Sequence, residues 1–106
     1  MYTVYEDRNN TICLQLFKNG IKLTSTEMDA FTNAGIIFDG TEYDYNTYNS
    51  AFDWATRKAE AVIIIALGEV LDAPGRDTKA ELVLYTATDT LGVVWGTLDI
   101  QVVDVG

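Results

Sequence analysis

The sequence predicts an all-β fold, an antiparallel β-sandwich of about seven strands built as one domain over residues 1–106. Three observations lead there. Apolar and polar residues alternate with period two in residues 11–17, 78–86 and 98–105, the pattern of strands with one buried face. Turn signals recur between these runs, at Asn19-Gly20, Asp39-Gly40 and Pro74-Gly75. Four consecutive β-branched residues, Val62-Ile63-Ile64-Ile65, are stiff at χ1 and favour a pleated surface.

The elements follow in order. Ile12, Leu14 and Leu16 form the inward face of the first strand. Asn19-Gly20 fits a type I′ turn, in which both central residues take positive φ, and residues 21–23 resume the alternation as a hairpin partner. Thr24-Ser25-Thr26-Glu27 matches a capping box, so one short helical turn is expected over residues 25–31. Asn33 and Gly35 end it. Ile36-Ile37-Phe38 reads as a short strand closed by Asp39-Gly40, with residues 41–45 as its partner and residues 46–50 as loop. Residues 56–61 have helix propensity, but a helix continuing to Leu67 would be apolar on every face. Residues 60–67 are therefore read as a strand buried on both faces. Residues 71–77 form a loop on Pro74-Gly75. In residues 78–86, Ala80, Leu82 and Leu84 face one way, with Lys79, Glu81, Val83 and Tyr85 opposite. A last pair is expected at residues 93–95 and 98–105, with a bulge or bend at Gly96. The predicted core is Ile12, Leu14, Leu16, Ile63, Ile65, Leu82, Leu84, Leu98, Ile100 and Val102, and Trp54 and Trp95 are also read as core residues, since each lies in or next to an apolar strand.

Composition excludes several kinds of chemistry. There is no histidine and one cysteine, so neither a Ser-His-Asp or Cys-His centre, nor an imidazole metal site, nor an internal disulfide can be built. Sixteen acidic residues against seven basic ones give a net charge of -9, which repels nucleic acid and anionic membranes. The longest apolar run, residues 61–67, is far short of the ~20 residues that span a bilayer. Residues 1–7 lack the basic start and apolar stretch of a signal peptide. The chain is expected to be made and kept in a cytoplasm, or in a particle assembled there.

Carboxylates are the one catalytic residue type in supply: Asp39, Glu42, Asp44, Asp53 and Glu60. Nothing in their spacing indicates a cleft, so no enzyme is expected. Asp39–Asp44 offers hard oxygen ligands for weak calcium binding but lacks the twelve-residue spacing of a calcium loop; no cofactor is expected. Cys13 is expected to be a buried or half-buried structural thiol, with no base to activate it. The aromatic cluster Tyr43, Tyr45 and Tyr48, set among Asp, Asn and Thr, has the chemistry of an adaptable contact surface. The same residues equally fit a lid over the end of the sandwich.

Five segments together resemble small immunoglobulin-like structural proteins of tailed bacteriophages, and more distantly the N-terminal sandwich of phage baseplate proteins. They are Ala51-Phe52-Asp53-Trp54, the β-run ending Leu67-Gly68, Leu71-Asp72-Ala73-Pro74-Gly75, Ala80-Glu81-Leu82-Val83-Leu84-Tyr85 and Gly92-Val93-Val94-Trp95-Gly96. The resemblance covers residues 11–103. It implies an immunoglobulin-like sandwich and a non-enzymatic virion component of the head, neck or tail, with capsid, neck or tail proteins as partners and homo-oligomerisation within the assembly. The alternative is a free carbohydrate- or protein-binding sandwich used in host attachment.

Overall fold

The computed structural model describes residues 1–104. The fold is all-β, with two sheets on one core. Its strands are β1 (Tyr2–Tyr5), β2 (Asn10–Gln15), β3 (Phe17–Lys18), β4 (Ile21–Lys22), β5 (Phe31–Phe38), β6 (Thr41–Asp44), β7 (Phe52–Asp53), β8 (Val62–Leu67), β9 (Thr78–Thr86) and β10 (Val93–Val103). One α-helix, α1 (Ser25–Asp29), separates β4 from β5, and short 3-10 turns lie at Asn49–Ala51 and Lys58–Glu60. The larger sheet runs β1-β10-β9-β5-β6, the smaller β2-β8-β7, and β3-β4 is a separate hairpin. A single cluster of buried residues draws on β1, β2, β5, β8, β9 and β10, so the two sheets share one core. No helix among the described residues is long and apolar enough to cross a membrane.

Local chemistry explains the turns. Asn19 and Gly20 take φ of 54° and 77°, and Asp39 and Gly40 take 50° and 83°. These are type I′ turns; Asn, Asp and Gly tolerate the left-handed region best. Each closes a two-residue hairpin, pairing Lys18 with Ile21 and Phe38 with Thr41. The Thr24–Glu27 capping box is formed in both directions. It starts a helix that buries Met28 fully.

The alternation predicts the core well. Nine of the ten expected inward residues are at most 8% exposed, and Val102 packs against the cluster half-buried. Residues 62–67 are a strand, as the β-branched run requires. Its inner face (Ile63, Ile65, Leu67) is sealed; Val62 is also covered on the outer face, Ile64 half-covered and Ala66 open, so burial on both faces is partial.

Several expectations are corrected. The described residues form ten strands rather than seven, and the sheet is mixed, because β1 pairs with β10 in parallel. The helix stops at Asp29, and Phe31 opens an eight-residue strand in place of the short one at residues 36–38. Asn33 and Gly35 sit inside that strand. The side chain of Asn33 finds polar partners, and Glu42 lies over Gly35, where a Cβ would come within 2.9 Å of Glu42 Oε2. Residues 93–103 are one strand, not two, with the predicted irregularity between Val94 and Gly96. The expected end at Val105 lies outside the described residues. Cys13 is exposed, because no layer covers that part of the outer face of β2. Trp54 and Trp95 are half-buried at the rim of the core rather than inside it.

Two buried amides hold the sheet ends. Asn10 accepts from Tyr5 N–H at 2.8 Å and donates to the carbonyls of Tyr5 and Arg8 at 3.1 and 2.9 Å, locking the β1–β2 turn. Asn33 donates to Asp44 Oδ2 at 3.1 Å and accepts from Asn46 N–H at 3.2 Å, tying β5 to the end of β6. Each would be costly if its buried amide were left unpaired.

Candidate functional site

The predicted tyrosines come together at one side of the molecule. β6 is an edge strand of the larger sheet and β7 an edge strand of the smaller one. Tyr43 leaves β6 and touches Phe38 and Tyr48, with ring centroids 5.9 and 5.8 Å apart. Tyr45, just past β6, meets Trp54, just past β7, edge to face at 4.7 Å. All three tyrosines are half-buried against the core. The rings thus close the seam between the two sheet edges, while their outer faces stay in solvent. The sequence shows the cluster but not Phe38 and Trp54, which join it through tertiary contact.

The acidic residues that the sequence singles out each have a separate partner. Asp39 accepts from Arg76 at 3.3 Å and from the Thr78 hydroxyl at 3.0 Å. Tyr85 donates its hydroxyl to Glu42. Asp53 caps the following turn, accepting from the N–H groups of Ala55 and Thr56 at 2.9 and 3.0 Å. Glu60 pairs with Arg57. Asp44 lies at the end of β6, about 10 Å by strand rise from Thr41, and Asp39 sits in the turn beyond the other end. The 39–44 segment is therefore a hairpin and not a wrapped calcium loop. Among the described residues no three Asp, Glu or Cys side chains converge as metal ligands would.

These contacts shift several groups. The Asn33 amide, and secondarily Thr47, hold Asp44 below the ordinary carboxylate value, against some desolvation. Thr56 does the same for Asp53 through its side chain and backbone. Both depressed values add stability that is present above about pH 4 and is lost as pH falls through the folded values. Tyr85 moves the other way. Burial first, then its bond to Glu42, push its phenol up to about 12. Its contribution is full below the ordinary value of 10.0 and is lost as pH rises through about 12. Absorbance titration should show a tyrosine ionising near pH 12, and Tyr85→Phe should remove that step. Retention of the step in Tyr85→Phe would contradict the assignment.

The opposite seam, between β10 and β2, is open. A groove of about 280 Å³ runs there, lined by Tyr2, Leu14, Leu16, Phe17, Trp95 and Leu98 among others. Next to it lies a second groove of about 310 Å³, which includes Lys18, Glu27, Phe31, Asp89, Val93 and Trp95. Phe17 is 50% exposed, Ile21 72% and Val94 54%. The sequence gives no sign of this seam, because edge position depends on strand order. No family model matches the chain, and no curated protein matches it.

Proposed function

We propose that the chain is a non-enzymatic structural component of a tailed-phage particle that occupies a repeated site on the head, neck or tail. Support comes from the sequence resemblance and from one structural observation. Tyr43, Tyr45 and Tyr48, half-buried against the core, keep their outer faces in solvent at the seam between the β6 and β7 edges, on a small domain whose net charge is -9. Clustered aromatic side chains with one face in solvent suit a protein interface. The acidic charge keeps the free protein soluble until it docks and discourages contact with packaged DNA. Docking stabilises the folded state by mass action, which helps a domain this small.

On this reading the outer faces of Tyr43, Tyr45 and Tyr48 meet the particle. The test is Tyr45→Ala combined with Tyr48→Ala, with occupancy measured on purified particles well below the melting temperature. Both rings also touch neighbours, so melting is measured separately. Interface tyrosines contribute on the order of 2 kcal/mol each, so occupancy of a weak site should fall by more than tenfold. Wild-type occupancy by the folded variant would move the contact to the opposite edge, at β10.

A further inference from the structure

The edge of β10 is only half covered. β1 pairs with Ile100–Val103, and no strand among the described residues pairs with the preceding stretch, 93–99, on that side. The direction of its main-chain groups can be read from two bonds. The Val102 N–H donates to Asp77, on the β9 side, at 2.7 Å. The Val103 carbonyl accepts from Glu6, on the β1 side, at 2.9 Å. Strand groups alternate with period two, so the N–H and C=O of Thr97 face the open edge. That edge borders the apolar groove between β10 and β2. An unpaired edge next to an apolar groove is a template for an added strand.

Charge selects the occupant. Glu27 and Asp89 stand by the groove at one end of the open stretch, and Asp99 borders the other. Lys18 and Lys79 are the cations beside them. A second copy would bring another -9 against this edge. From the geometry we infer that β10 accepts, along 93–99, an extended segment of a different protein that alternates Lys or Arg with aliphatic residues. Main-chain bonds at Thr97 would give register, aliphatic side chains would enter the groove, and cations would face the flanking carboxylates. This site lies on the edge away from the tyrosines and does not depend on the virion reading.

The test uses the full chain and a capped synthetic heptapeptide of alternating lysine and valine. Hydrogen exchange should slow at Thr97 and its neighbours when the peptide binds. Thr97→Pro removes only the outward N–H, since edge strands tolerate proline, and should weaken binding about tenfold or more. The same peptide N-methylated throughout keeps its charge and apolar groups and should lose binding to the wild-type chain. That arm stands even if Thr97→Pro does not fold. Three results would overturn the proposal: no protection at millimolar peptide, equal binding of the N-methylated peptide, or protection mapped elsewhere. A dimer of the free chain that Thr97→Pro abolishes would assign the edge to a second copy instead.

Discussion

Ile65→Ala is expected to destabilise the domain by about 2–5 kcal/mol, the range for emptying a sealed aliphatic site. Ile65 is fully buried in β8, the middle strand of the smaller sheet. It stands opposite Ile12 on one side and Phe52 on the other. Strands on both sides limit how far the site can collapse, so most of the cavity should persist. A domain of this size has roughly 5–15 kcal/mol in total, so the variant should melt roughly 10 °C or more lower. Ile21→Ala is the control. Its side chain is 72% exposed, and its effect should stay within about 0.5 kcal/mol. Urea unfolding of both variants measures the contrast. Equal, small effects would place β8 outside the core.

Gly68→Ala should cost about 2–4 kcal/mol through backbone strain and overlap together. Gly68 has φ of +125°, which L-residues rarely adopt. A Cβ there would lie 2.5 Å from the Arg8 carbonyl oxygen and 3.0 Å from Asn9 Cα. Those are main-chain atoms in the segment that Asn10 locks, so they cannot swing aside as a side chain would. Gly75→Ala gives the opposite expectation. Nothing lies within 4 Å of its Cβ position, and its φ is not in the left-handed region. Reducing the freedom of the unfolded chain should stabilise it by about 0.4–1 kcal/mol. Thermal melts of the pair check the sign as well as the size.

What the sequence reveals is mostly local. The Asn19-Gly20 and Asp39-Gly40 turns, the Thr24–Glu27 box and the alternating strands are set by neighbours within a few residues. β1 escapes because Tyr2-Thr3-Val4-Tyr5 is short and its partner, β10, is almost a chain length away. β7 is two residues long and exists only as an edge on β8. Asn33 and Gly35 look like breakers until Asp44 and Glu42, across the hairpin, supply reasons for them to be in a strand. The candidate site divides the same way. Three tyrosines spaced two and three apart are plain in the sequence. That they join Phe38 and Trp54 to close one seam, while β10 leaves the other open, depends on which strands become edges.

We propose that the chain works by docking on a phage particle. Docking is tested most directly by quantitative mass spectrometry of intact phage particles purified from cells that produce the chain. The prediction is that the chain is present in a fixed, multiple copy number relative to a major structural protein, and that it remains through density-gradient purification. Its absence from purified particles would contradict the account and leave a free binding module in its place.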